Sequence, residues 1–230
     1  MTEQRQDSVT LSRVQQNWLA ASERRLLTWL CARMPAAVTP DWLTAFGMIG
    51  AAMIFAGYAA SNLASEWLLL AIAGYAVQWF GDSLDGSLAR YRHIERPSYG
   101  YFIDHSCDGL ANLLIVAGMG LSPFVTMDIA MIALAGYLLM SIHTFLAARV
   151  EGELRLSYFS AGPTELRLVL VGMTVMMMVL GTGSGWFGEW SGFDILVGAI
   201  GATLILLFVF QTLITGRRLA AAEARPPFNR

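Results

Sequence analysis

Four aspartates lie within one short stretch of the sequence. Asp82 and Asp85 are three residues apart, and Asp104 and Asp108 are four apart. Residues at either spacing share a face of an α-helix, so each pair presents two carboxylates in one direction. Carboxylate oxygens suit hard divalent cations such as Mg²⁺ or Mn²⁺, and four carboxylates can hold two ions. The stretch therefore predicts a two-metal site, of the kind that clamps a displacement at phosphorus.

The residues around the acids suit a bulky phosphorylated ligand. Arg90 offers a planar cationic fork that matches phosphate oxygens. Small side chains leave room for a ligand at three nearby positions: Gly86, Ala89 and Gly100. The alternative is that the acids only form surface ion pairs with Arg90, Arg92 and Arg96. That alternative explains a single Asp–Arg pair better than it explains four acids on two consecutive helices.

The composition places the helices that carry these acids in a membrane. The chain has 230 residues, of which 56% are hydrophobic and 14% charged, and its mean hydropathy is +0.53. Soluble domains average about 25% charged residues, and a membrane-spanning helix needs about 20 mainly apolar ones. Five stretches meet this length: residues 42–65, 109–127, 129–148, 168–188 and 195–216. A sixth, residues 67–81, is long enough only if it extends through Asp82 and Asp85. We therefore predict an all-α integral membrane protein with six transmembrane helices.

The arginines indicate how the helices are oriented. All 15 basic residues are arginine, and they lie at positions 5–33, 90–96, 149–167 and 217–230. The alternate connections contain none, so the bias of basic residues towards cytoplasmic loops puts both termini and the acids on the cytoplasmic side. We expect a bacterial inner membrane. The net charge of −2 disfavours a nucleic-acid partner.

The residues before the first span predict a separate N-terminal element. Apolar residues recur at roughly helical spacing over residues 10–34, among arginines and glutamines. This pattern indicates an amphipathic helix in the membrane interface, or a helix packed against the bundle, and both remain open. Pro40 restricts Thr39 to an extended conformation, which predicts a kinked entry into the first span. The expected organisation is an N-terminal segment (1–34), a six-helix domain (35–216) and a cytoplasmic tail (217–230).

The pattern of the acids resembles the signature of the CDP-alcohol phosphotransferase family. Asp82-x2-Asp85-Gly86-x2-Ala89-Arg90-x9-Gly100-x3-Asp104-x3-Asp108 fills every position of that signature. Six spans behind an amphipathic helix also match the family. The resemblance implies a Mg²⁺- or Mn²⁺-dependent membrane enzyme that releases CMP and acts as a homodimer among membrane lipids. The small residues Gly109, Gly118 and Gly120 offer a face for close helix packing.

The resemblance also implies roles for individual residues. Asp82, Asp85 and Asp104 would hold two metal ions, and Asp108 would be both a ligand and the general base. The CDP diphosphate would lie against the signature residues Gly86, Ala89, Arg90 and Gly100. The turn Thr39-Pro40-Asp41 resembles a segment near the family's cytidine site. An acceptor hydroxyl would attack the alcohol-bearing phosphorus in line and expel CMP in a single displacement.

Two pairings of donor and acceptor are open for the substrates. Asp104-His105-x-Cys107-Asp108 and Gly162-Pro163-Thr164-Glu165 resemble segments of choline and ethanolamine phosphotransferases, which join a small CDP-alcohol to a diacylglycerol-like lipid. The chain is much shorter than those enzymes, and we favour CDP-diacylglycerol as donor with a polar hydroxyl acceptor. Five residues are acceptor-binding candidates: His143, Arg149, Arg155, Glu165 and Arg167. The rival class is a divalent-cation transporter, but the acids cluster at one end and have no counterparts in the outer half.

Overall fold

The computed structural model of the protein describes residues 20–151, 163–182 and 190–223. Its regular structure in these ranges is helical, which confirms the predicted all-α class. A short 3₁₀ turn, Ser65–Trp67, precedes the third helix. The described ranges contain seven α-helices: α1 (Ala20–Cys31), α2 (Pro40–Ala60), α3 (Leu68–Tyr91), α4 (Pro97–Gly120), α5 (Met127–Glu151), α6 (Pro163–Leu180) and α7 (Gly192–Ala222).

Four of the helices, α2, α5, α6 and α7, are long and apolar enough to cross a membrane. This finding fits an integral membrane protein. The helices α3 and α4 have 24 residues each but are not among the four, since they carry the acids and lower mean hydropathy. Whether α3 and α4 also span the bilayer remains a prediction.

The bounds of α4 differ from the third predicted span. The charge-free stretch begins at residue 109, but α4 begins at Pro97, a residue that favours the first position of a helix. Asp104 and Asp108 therefore lie inside the helix. At the other end α4 stops at Gly120, although apolar sequence continues to residue 127. Phe124 and Val125 of this connection are buried in the protein core, which explains why the connection looks like part of a span.

Glycines bring α2 and α3 into backbone contact. A Cβ added at Gly50 would lie 2.4 Å from the backbone nitrogen of Gln78, and one at Gly57 would lie 2.4 Å from that of Ala71. One at Gly81 would lie 2.4 Å from the backbone nitrogen of Gly47. Small residues at such positions allow helices in a membrane to approach closely. The contact runs along α3 up to the residue before Asp82.

The core away from the acids joins α2, α3 and α6. Tyr58 lies fully buried, and its hydroxyl is 2.7 Å from Thr174 Oγ1 and 3.2 Å from the hydroxyl of Tyr75. Since buried polar groups are costly without partners, these three residues satisfy one another inside an apolar cluster that includes Ile54 and Met177.

The described part of the N-terminal segment packs against the bundle. Leu27, Leu30 and Cys31 of α1 join a cluster with Leu84 and Leu88 of α3. Other apolar side chains of α1 are exposed: Leu26 and Trp29. The helix thus has a packed face and exposed apolar residues, and its interfacial role remains a prediction. The part of the predicted helix over residues 10–19 lies outside the described residues.

Candidate active site

The four signature aspartates meet where α3 ends and α4 begins, across the connection of residues 92–96. A carboxylate oxygen from each of Asp104 and Asp108 and a ring nitrogen of His105 lie within 4.8 Å of one another. The Asp108 carboxyl contacts that of Asp82 on α3, and Asp85 lies within electrostatic range of both Asp82 and Asp104. The two helices therefore bring their acids into one cluster, which we call the acid cluster (Asp82, Asp85, Asp104 and Asp108).

Two of these carboxylates are held by side chains from other helices. Asp85 Oδ2 accepts a 2.6 Å hydrogen bond from the Thr44 hydroxyl of α2, while Asp85 Oδ1 accepts one of 2.5 Å from the Gly86 amide. Asp82 Oδ2 accepts a 2.5 Å hydrogen bond from Arg167 Nη2 of α6. Thr44 was not predicted from the sequence. It lies within an apolar span, where a single threonine does not indicate a contact with a distant acid.

His105 is a second residue of the site to which the sequence assigned no role. Its ring contacts those of Tyr101 and Phe145, with centroid distances of 4.3 and 5.2 Å. Both ring nitrogens are buried, and Nδ1 is 3.2 Å from Asp104 Oδ2. The available signal was its position next to Asp104 and three residues before Asp108, which places it on the edge of the acid face.

The signature glycines have different surroundings. A Cβ at Gly86 would lie 3.3 Å from Nη1 of Arg90, so the missing side chain makes room for the guanidinium. Arg90 Nη2 also donates to Ser87 Oγ at 3.3 Å. Gly100 has no neighbour within 4 Å on its Cβ side, so α4 is open at that position. These features fit the expectation of a space beside the acids for a phosphorylated ligand.

Two of the arginines offered as simple ion-pair partners contact other groups. Arg92 donates to the backbone carbonyls of Met34, Pro35 and Val38, at 2.6 to 3.0 Å. Arg96 pairs with Asp41, a residue of the predicted cytidine segment. Among the described residues, the guanidinium that reaches the acid cluster is that of Arg167, so surface pairing with the neighbouring loop does not account for the acids.

The predicted cytidine segment forms the start of α2. Thr39 is extended, with φ −104° and ψ 160°, which confirms the effect expected of Pro40. The Thr39 side chain accepts a 3.3 Å hydrogen bond from the backbone amide of Trp42 and so caps the helix. Thr44, one turn beyond Pro40, then faces Asp85. The segment is thereby joined to the acid cluster through a single helical turn.

The acceptor-binding candidates are not all close to the acids. His143 lies against α7, with Nδ1 3.5 Å from Thr212 Oγ1 and its ring edge-on to Phe208. Arg149 is in the last turn of α5 and Glu165 in the first turn of α6. Arg155 lies outside the described residues. Arg167 is the candidate that directly contacts an acid of the cluster.

The donor set of the cluster fits divalent cations. Four carboxylates from two helices supply hard oxygen ligands, and the imidazole of His105 is within reach of two of them. Such a set suits Mg²⁺ or Mn²⁺ better than Zn²⁺, which prefers nitrogen and sulfur in tetrahedral sites. Thr44 and Arg167 stabilise two of the carboxylates, as outer partners do for metal ligands. The residues present therefore fit the metals that the family resemblance implies.

Comparison with known proteins agrees with the signature. The family model described as CDP-alcohol phosphatidyltransferase matches residues 37–215. The archaetidylinositol phosphate synthase of Methanothermobacter thermautotrophicus is 31% identical over 115 residues, which are 50% of this chain and 54% of that protein. The chain thus matches about half the length of this curated relative. Since the family model covers most of the chain, including the whole acid cluster, the chain belongs to the CDP-alcohol phosphatidyltransferase family.

Proposed function

We propose that the protein transfers a substituted phosphate group from a CDP-linked donor to an acceptor hydroxyl and releases CMP. The observation that carries the proposal is the meeting of Asp82 and Asp85 with Asp104 and Asp108. Gly100, about one helical turn before Asp104 on α4, is open on its Cβ side. Membership of the family supports the same reaction class. Phospholipid synthesis in the membrane is the corresponding cellular role.

The residues have distinct roles in this reaction. Asp82, Asp85, Asp104 and Asp108 would hold two Mg²⁺ or Mn²⁺ ions, which neutralise the diphosphate when bound. Arg90 contacts the diphosphate with its guanidinium, which the absence of a Gly86 side chain accommodates. Ala89 and Gly100 leave the donor room, and Thr39, Pro40 and Asp41 lie near its cytidine.

The transfer is a single displacement at phosphorus. Asp108 accepts the proton of the acceptor hydroxyl, and the hydroxyl oxygen forms a bond to the alcohol-bearing phosphorus. The bond from this phosphorus to the bridging oxygen of the diphosphate breaks, and CMP departs with the electron pair. The proton on Asp108 is then released to water. No covalent bond between enzyme and substrate is required.

We favour CDP-diacylglycerol as donor and a polar hydroxyl compound as acceptor. The relative's name places inositol phosphate in its product, which supports a polar acceptor for this chain. The candidates to bind its head group are Arg149 in the last turn of α5, Glu165 in the first turn of α6, and Arg155, which falls between these two in the sequence. His143 is less suited because it packs against α7. The alternative is a CDP-choline or CDP-ethanolamine donor with a diacylglycerol-like acceptor.

We further propose a homodimer in a bacterial inner membrane, with the termini and active site facing the cytoplasm. Gly118 and Gly120 pack against Phe55 and Ala130 of their own chain, so they serve the protomer rather than a dimer contact. Gly109 has no neighbour within 4 Å and could contact a second copy. A monomeric mass in nanodiscs would contradict the dimer.

The deciding experiment is CMP release by the purified protein in nanodiscs with Mg²⁺. CDP-diacylglycerol, CDP-choline and CDP-ethanolamine are each paired with a panel of polar alcohols or with diacylglycerol. The proposal expects CMP and the matching lipid product with one pairing, and the loss of most CMP release in Asp108→Asn. Mn²⁺ uptake by proteoliposomes without CMP release from any pairing would favour a transporter instead.

A further inference from the structure

We infer that Arg167 is a positioning residue that orients the Asp82 carboxylate for the divalent cations, an inference that rests on the proposed function. Arg167 Nη2 donates to Asp82 Oδ2 at 2.5 Å, and its Nε donates to Gln78 Oε1 at 2.6 Å. The side chains of Arg167 and Asp82 are 14% and 23% exposed. The guanidinium therefore lies inside the site, where its contacts with α3 are shielded from water.

The two hydrogen bonds define the orientation of the guanidinium. Gln78 and Asp82 are four residues apart on α3, so they lie on the same face of the helix, about one turn apart. A planar guanidinium that bonds to both cannot rotate without losing one of them. Gln78 is itself only 5% exposed, and its backbone lies against Gly50 of α2. Asp82 is thereby held by a group that the bundle has already fixed.

The start of α6, which carries Arg167, is also anchored. Glu23 Oε1 of α1 accepts hydrogen bonds from the Thr164 hydroxyl at 2.6 Å and from Trp79 Nε1 at 3.0 Å. Trp79 is the neighbour of Gln78 on α3. Thus α1 ties the first turn of α6 to the same turn of α3 that receives the Arg167 side chain.

A positioning role has a different consequence from the two other roles open to Arg167. A positive charge beside the cluster repels cations, so a purely electrostatic effect predicts tighter cation binding when the charge is removed. An acceptor-binding role predicts a higher acceptor KM with unchanged cation binding. A positioning role predicts weaker cation binding in the absence of any substrate, even when the charge is kept.

The test is Mn²⁺ binding to the protein in nanodiscs without substrate. Binding is measured from the electron paramagnetic resonance signal of the free ion. Arg167→Lys keeps the charge but replaces the rigid two-point contact of the guanidinium with a flexible ammonium. Gln78→Met keeps the length but removes the acceptor for Nε. Loss of an outer partner typically lowers metal affinity about 10- to 100-fold, which we expect for Arg167→Lys, with a smaller loss for Gln78→Met. Arg33→Lys, at an arginine that lies over Trp29 of α1, should bind Mn²⁺ as the wild type does.

The outcomes separate this inference from the proposed function. Unchanged or tighter Mn²⁺ binding by Arg167→Lys would overturn the positioning role while leaving the metal site intact. If Arg167→Lys fails to fold, the result for Gln78→Met decides, and unchanged binding there overturns the role. If the wild type binds no Mn²⁺, or if Asp82→Asn binds Mn²⁺ as tightly as the wild type does, the metal site is wrong. The inference then fails with it.

Discussion

The hydroxyl of Thr44 donates a 2.6 Å hydrogen bond to Oδ2 of Asp85 and joins α2 to the acid-bearing end of α3. The two residues are 41 positions apart in the chain. Thr44 also follows the Thr39-Pro40-Asp41 turn by one helical turn. The predicted cytidine segment and a predicted metal ligand are therefore parts of one structural unit.

Replacing Thr44 with Val should raise the Mg²⁺ requirement of the enzyme. Valine keeps the shape of the side chain but removes the donor that orients Asp85, and the loss of such a partner costs about 10- to 100-fold in metal affinity or activity. The measurement is CMP release as a function of Mg²⁺ concentration. Thr203→Val is the matched control, because the exposed Thr203 hydroxyl donates to the Ala199 carbonyl of its own helix, α7. Equal Mg²⁺ curves for both variants would contradict a role for Thr44.

Removal of divalent cations should abolish turnover. The acid cluster presents oxygen ligands, so Mg²⁺ or Mn²⁺ should restore CMP release after chelation and Zn²⁺ should restore it poorly. The assay is CMP release by the reconstituted protein in excess chelator, followed by addition of each ion. Full activity in the chelator would exclude the metal mechanism.

Asn substitutions should separate the base from the metal ligands. Asp108→Asn keeps the size but removes basicity, and a general base contributes about 10²–10⁴ in rate. This variant should lose most CMP release yet still bind a CDP ligand when Mg²⁺ is present. Asp82→Asn should lose both turnover and Mg²⁺-dependent binding of the CDP ligand.

The two variants are compared by calorimetric binding of a CDP ligand with and without Mg²⁺. Near wild-type turnover by Asp108→Asn would make the base assignment wrong. Mg²⁺-dependent binding by Asp82→Asn at wild-type affinity would make the metal assignment wrong.

Gly50→Ala should destabilise the protein through the contact of α2 with α3. The added Cβ would lie 2.4 Å from the backbone nitrogen of Gln78, so the helices must separate and Gln78 must move. Gly172→Ala is the control, since Gly172 is in α6 with no neighbour within 4 Å. There alanine should be neutral or stabilising by up to about 1 kcal/mol from helix propensity. The unfolding temperatures of the two variants are measured in one detergent. Equal unfolding temperatures would contradict the close contact of α2 with α3 at Gly50.

Asp194→Asn should lower stability without changing the chemistry of the site. Asp194 is 3% exposed and accepts hydrogen bonds from the Thr126 amide, the Thr126 hydroxyl and the Ser191 amide. Asn replaces one accepting oxygen with a donor, and an unmade buried hydrogen bond costs about 1–3 kcal/mol. Asp128→Asn, at an exposed position in the first turn of α5, should have no such effect. An unchanged unfolding temperature for Asp194→Asn would contradict a stabilising role for these three hydrogen bonds.

The sequence by itself determined the helical class, the family and the pairing of the acids. These features depend on short-range patterns: apolar runs, helical spacing of Asp82 with Asp85 and of Asp104 with Asp108, and the restriction that Pro40 imposes on Thr39. Only residues 92–96 connect α3 to α4, so the two helices are adjacent and the two pairs of acids lie close together. Local chemistry was therefore enough to predict the acid cluster.

Only the tertiary structure decided which distant residues hold the acids and where the helices end. Arg167 reaches Asp82 across 85 positions, a contact that depends on how α6 packs against α3. Likewise, composition alone cannot distinguish side chains buried in protein from those facing lipid, because both environments are apolar. For this reason the buried connection around Phe124 extended a predicted span, and the contact of His143 with α7 could not be told from a place in the site.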